Sequence, residues 1–164
     1  MSYWQLYYHL VWTTRNRLPA IDDAREDLIR RSLRATCDDT GAMVFGLGVM
    51  PDHLHMAVAI PPKIAVAALI RRLKGSSSHL VNHVEQGYDQ DVFHWQAEYG
   101  ALSFGKRSLS SIVGYVKNQR THHAAGDLWP TFEQSERPYD PSADRSKRGE
   151  EVDDQGITGD KCPV

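Results

Sequence analysis

The chain has 164 residues, 41% of them apolar and 24% charged, with a net charge of −2. That length supports one domain with a real core rather than two, and the balance is that of an ordinary globular domain. No apolar run approaches the roughly 20 residues that span a bilayer.

The N-terminal stretch has neither a basic flank nor a small-residue cleavage site, so a signal peptide is not expected. Only Cys37 and Cys162 are present, far apart, which fits a reducing, cytoplasmic setting without structural disulfides. Charge is uneven along the chain. Residues 1–129 hold 14 Lys+Arg against 12 Asp+Glu, whereas residues 130–164 hold 5 against 9. From about residue 136 the sequence is poor in apolar residues and rich in charge, Pro, Ser and Gly. A domain over 1–135 and a disordered acidic tail over 136–164 are therefore expected. Without its tail the domain is mildly basic, which permits a nucleic-acid partner.

The first element, "YWQLYYHLVWTT" (3–14), alternates as a strand. Trp4, Leu6, Tyr8, Leu10 and Trp12 share an apolar face, and Tyr3, Gln5, Tyr7, His9 and Thr13 a more polar one. A basic loop, "RNRLP", follows. A helix is predicted over about 23–39, with Asp23 and Glu26 as a capping box and Gly41 as terminator; Leu28, Ile29, Ser32, Leu33 and Thr36 form its stripe. Two strands, about 42–49 and 53–60, flank the turn-like "GVMPD". A second helix over about 63–86 carries Arg71, Arg72 and Lys74, and Gly75 with three serines interrupts it. A fourth strand region spans 92–105, and a third helix runs from Ser108 to about Ala125. The order β-α-β-β-α-β-α predicts an α+β, ferredoxin-like antiparallel sheet with flanking helices.

Within "PDHLHMAV" (51–58), His53 and His55 are two apart on a strand, so they share a face about 6.6 Å apart at Cα. Ala57 and Ala59 continue that face, while Leu54, Met56, Val58 and Ile60 point to the core. Two neutral imidazoles at this spacing can hold one divalent metal or act on a phosphate; a pair of polar residues on a solvent-facing strand is the bland alternative. The third helix adds Tyr115 and Gln119, four residues apart on one face. A metal held by His53, His55 and Gln119 can polarise a phosphodiester, and attack by Tyr115 then gives a phosphotyrosine that keeps the ester energy for rejoining.

These residues resemble the HUH-type single-tyrosine transposases, the insertion-sequence-200-like group that includes transposases associated with repeated extragenic palindromes. The matching segments are His53-Leu54-His55, "YVKNQRTHH", "YHLVWTTRNR" (8–17), "LIRRLKGSSS" (69–78) and "WQAEYGALSF" (95–104), in family order across about 3–134. The resemblance implies Mg²⁺ or Mn²⁺ as cofactor, held by His53, His55 and Gln119. It implies Tyr115 as the nucleophile, forming a 5′-phosphotyrosine on single-stranded DNA with hairpin or palindromic ends. It implies a homodimer as well. Glu98 stands where many relatives carry glycine, a departure within the matched stretch. Candidate phosphate contacts are Arg15, Arg17, Arg71, Arg72, Lys74, Lys106, Arg107, Lys117 and Arg120. Trp95 and Tyr99 are read as core packing ahead of base stacking, and His9 at most supports the metal ligands. His122 and His123 are read as structural or DNA-facing, and His79, His83 and His94 as unrelated to the chemistry. Two other functions stay open: a non-catalytic hairpin DNA- or RNA-binding module, and a metal-dependent phosphoesterase or RNase.

Overall fold

Alternating strands bring the polar positions of the sequence onto one sheet face, and helices then cover that face. The computed structural model describes residues 3–85 and 93–135; the acidic tail expected from 136 lies outside the described residues. Its elements are β1 (Tyr7–Thr13), α1 (Asp23–Thr40), β2 (Met43–Val49), β3 (His53–Ala59), α2 (Val66–Val84), β4 (Gly100–Phe104), α3 (Leu109–Lys117), α4 (Gln119–Ala125) and α5 (Pro130–Glu133). The four strands form one sheet in the order β2-β3-β1-β4, every pair antiparallel. This is the expected ferredoxin-like α+β arrangement. Among the described residues, no helix is long and apolar enough to cross a membrane.

Register assigns the two faces. Tyr8, Leu10 and Trp12 lie opposite Val58, Met56 and Leu54, and these join Ile29, Leu33, Leu69, Ile70 and Leu73 of α1 and α2 in the main core. On the other face His9, Val11 and Thr13 lie opposite Ala57, His55 and His53. A second, smaller cluster of Ala57, Ile112 and Val116, with Phe45, Phe104, Val113 and Phe132 against it, seats α3 and α5 there. All seven residues of β3 are consequently buried. A strand buried on both faces excludes the solvent-facing reading of the histidine pair.

Several element boundaries depart from expectation for identifiable reasons. The α1 cap is Asp22, whose carboxylate accepts the Arg25 N–H at 2.9 Å; Glu26 is used instead in ion pairs with Arg30 and Arg120. Gly41 ends the helix at φ 75°, as predicted. Helix α2 is not interrupted at its serines. Ser77 and Ser78 turn their hydroxyls back to the carbonyls of Leu73 and Lys74 at 2.7 and 2.8 Å, satisfying themselves within the helix. Ser76 then bridges to Thr36 of α1 at 2.9 Å. The fourth strand region is shortened to Gly100–Phe104, preceded by a single bridge between Trp95 and Thr14. Between them Lys74 draws the carbonyls of Gln96, Ala97 and Glu98 onto its ammonium at 2.7–3.0 Å, removing them from any ladder. The third helix breaks at Asn118 (φ −100°, ψ 21°), so Tyr115 lies in the last turn of one segment and Gln119 opens the next.

Candidate active site

His9 and His55 are diagonal neighbours on β1 and β3, since His9 faces Ala57 and Val11 faces His55. Their rings meet, with His9 Nε2 3.0 Å from His55 Nδ1. His53 is tied likewise through Nδ1, 2.6 Å from Asp52 Oδ1. His53 and His55 therefore each have Nδ1 engaged, and their Nε2 atoms face the same space. Such a second partner sets the tautomer in which Nε2 carries the lone pair for a cation. Burial pushes the His53 pKa down, against the pull of Asp52. It lowers that of His9 to about 3, helped by His55 and opposed by Glu133. Both rings favour the neutral form that a metal needs.

Two further side chains close on this space. His123, on α4, brings its Nε2 to 3.1 Å from His53 Nε2. Glu133, at the end of α5, sets Oε2 at 3.3 Å from His55 Nε2 and 3.7 Å from the Nε2 atoms of His53 and His123. One donor atom from each of these four residues lies within 4.8 Å of every other. Burial raises the Glu133 pKa, but the close His55, with Tyr115 and His53, outweighs it and holds the carboxyl down at about 2. Despite that neighbour, His55 Nε2 is fully buried and makes no hydrogen bond of proper alignment among the described residues. A buried nitrogen of this kind amid imidazoles and a carboxylate fits a divalent metal by donor chemistry. Sequence reading left His123 open and missed Glu133, which has no motif spacing to the histidines; only the short helix after Trp129 brings it in.

Tyr115 is buried, its ring 6.2 Å from that of His55 and stacked on Trp129 at 4.7 Å. Its hydroxyl donates to Glu133 Oε1 at 2.5 Å and accepts the Trp129 N–H at 3.1 Å. Burial raises its pKa, and the hydrogen bond to Glu133 adds to this, while the Trp129 N–H and the nearby Gln119 amide oppose it. Gln119 is buried too, with neither amide atom making a well-formed hydrogen bond among the described residues. It packs over Gly48, the β2 partner of His55. A Cβ there would stand 2.2 Å from the Val116 carbonyl oxygen and 2.9 Å from Gln119 Cγ, so only glycine admits the α3–α4 break at that height.

The predicted cations separate into a group paired within the fold and a group that is exposed. Lys74 is committed to three carbonyls, Arg72 to Asp39 and Arg120 to Glu26. Arg17 lies 3.6 Å from Asp52. Arg15, Arg71, Lys106, Arg107 and Lys117 are exposed. Lys117 lines a groove of about 640 Å³ along β2 together with Arg30 and Arg34, which sequence reading did not single out. Arg120 and Lys117 border a cleft of about 160 Å³ beside Gln119 and Gly48. Trp95 packs against Trp12 and Phe93 with its N–H on Ser77, as core. Tyr99 is exposed, 5.7 Å from the Lys74 ammonium.

Comparison with known proteins agrees with this geometry. The chain is 25% identical over 119 residues to the ISDra2 transposase TnpA of Deinococcus radiodurans, covering 71% of this chain and 85% of that one. It is 27% identical over 128 residues to the transposase of insertion sequence element IS200 from Salmonella typhimurium, covering 76% and 83%. A solved REP-associated tyrosine transposase bound to a REP hairpin superposes with a TM-score of 0.58 over 87% of this chain and 96% of its own; at 15% identity that likeness is one of fold. Residues 2–119 match the model of the IS200-like transposases, and the chain belongs to that family of enzymes.

Proposed function

We propose that this protein is a metal-dependent transposase that cleaves and rejoins single-stranded DNA through Tyr115. The observation that carries the reading is the Tyr115 hydroxyl held by one oxygen of Glu133 while the other oxygen faces three imidazoles. Nucleophile and metal donors thus meet within one chain. His53, His55 and Gln119 would hold Mn²⁺ or Mg²⁺, which would supply positive charge to stabilise the scissile phosphate. Tyr115 forms the new P–O bond as the P–O3′ bond breaks, the 3′ oxygen takes a proton from solvent and leaves as a hydroxyl, and the 5′ phosphate stays on the tyrosine. Its proton already sits in a hydrogen bond to Glu133 Oε1, the path along which it departs. Attack by a free 3′-OH reverses the step and joins strands without ATP.

His9 keeps the His55 tautomer, and packing of α3–α5 over β1 and β3 limits water around the phosphotyrosine. The cationic groove along β2, with Lys117 shared between groove and cleft, suits a DNA backbone. Arg15, Arg17 and Arg71 are further candidate contacts, and Arg72, Lys74 and Arg120 would have to leave their present partners to serve. Hairpin or palindromic ends as substrate, a homodimer and cytoplasmic action complete the proposal; the hairpin held by the structural relative supports the first.

Incubation with Mn²⁺ and single-stranded oligonucleotides from hairpins flanking the gene tests this. A denaturant-stable protein–DNA adduct is expected, absent in Tyr115→Phe. Turnover without an adduct would favour the phosphoesterase reading. Metal-independent hairpin binding, unchanged by Tyr115→Phe and His53→Ala, would favour the binding module.

A further inference from the structure

The two oxygens of Glu133 have different tasks. Oε1 takes the Tyr115 hydrogen bond, and Oε2 faces His55, His53 and His123. His123 Nε2 and His53 Nε2 stand 3.1 Å apart. Neighbouring donors around one ion with bonds of about 2.1 Å are separated by roughly this distance. His123 and Glu133 both lie beyond residues 2–119, the stretch that matches the family.

The segment that delivers Glu133 is anchored at several points. Trp129 stacks on Tyr115 and donates its N–H to the phenol. Phe132 sets its ring edge-on to His9 at 4.5 Å. Gly100 of β4 admits the Gln134 carbonyl, which a Cβ would meet at 2.1 Å. The carboxylate is therefore held at the imidazoles by packing on both sides of it. Glu133 is only half-exposed or less, with its side chain 20% accessible beside a fully buried His55.

We infer that His123 and Glu133 complete the metal site, adding a third imidazole and a carboxylate oxygen to His53, His55 and Gln119. This rests on the metal-site reading above and extends its donor set. Three imidazoles make the site one for Mn²⁺ or another first-row ion in preference to Mg²⁺, which favours oxygen donors. Glu133 then also keeps the Tyr115 hydroxyl next to the ion, since one carboxylate serves both.

Titrating Mn²⁺ into the full-length chain, with the free-ion electron paramagnetic resonance signal as readout, tests the donor set without any DNA chemistry. His53→Ala, His123→Ala and Glu133→Gln are each expected to weaken binding roughly tenfold or more. Pulsed resonance on the wild-type complex is expected to count three imidazoles, a result that does not depend on a variant folding. Two imidazoles, or binding by both His123→Ala and Glu133→Gln within about twofold of wild type, overturns the inference. A loss confined to His53→Ala sinks only the added donors. Wild-type strength in His53→Ala, or no binding by wild type, sinks the metal-site reading as well.

Discussion

Glycines at two positions carry opposite consequences. At Gly48 an added methyl would strike the Val116 carbonyl at 2.2 Å, and a backbone oxygen cannot rotate aside as a side chain can. Gly48→Ala is expected to destabilise the fold by about 1–3 kcal/mol in denaturant melts, from overpacking. Gly75 has nothing among the described residues within 4 Å of its would-be Cβ and lies within α2, on the exposed side. Gly75→Ala should stabilise by about 0.5–1 kcal/mol, because it removes only the backbone entropy of a helical glycine. Destabilisation at Gly75 would mean that its exposure to solvent is wrong. His53 and His55 illustrate how much a spacing can say: two-residue periodicity put both on one face, and β3 has them there. Burial of that face was not legible, because it depends on helices that the strand sequence does not contain.

At the scale of elements, Lys74 links α2 to the loop before β4. Its ammonium donates to three carbonyls, and this clamp replaces a longer fourth strand. Lys74→Met retains the stem but removes the donors. A loss of about 1–2 kcal/mol is expected, since the partly exposed carbonyls recover water. Faster hydrogen exchange confined to the 96–99 segment would be the signature; unchanged exchange would show that the loop holds itself. The sequence marked Lys74 as a DNA contact because a cation within a basic helix looks the same whether it meets phosphate or carbonyl oxygen. The break at Asn118 was hidden for a related reason. Local pattern favours helix continuously from 108 to about 125, and the close approach of Val116 and Gln119 to Gly48 goes with a turn there.

For the whole molecule, the burial of His9 and His53 implies a pH dependence. The folded-state pKa of His9 lies at about 3, below its ordinary 6.5, and that of His53 is lowered as well. Between those limits the unfolded chain binds more protons than the folded one, so stability rises with pH and is lost on acidification. Glu133, held at about 2 against an ordinary 4.5, adds a loss over that lower window. The metal-free protein should therefore show a denaturation midpoint that falls steadily from pH 7 to pH 4. His9→Gln should flatten the fall between about pH 6.5 and 4. A midpoint flat across that range in wild type would contradict the buried neutral imidazoles.

Alternation and helical period by themselves determined the order of elements, the ferredoxin-like sheet and the pairing of His53 with His55. Tyr115 and Gln119 were visible as a spaced pair, and the motif set pointed to the IS200-like family that the chain belongs to. Those features are local, written within a few residues of each other along the chain. Glu133 and His123 joined the histidines only in three dimensions. Their approach depends on the helix break at Asn118, the glycine seats at 48 and 100, and the stack of Trp129 on Tyr115. The glycine seats are contacts between elements far apart in sequence, set by how closely two backbones can pack, and no periodicity along one strand or helix encodes that distance.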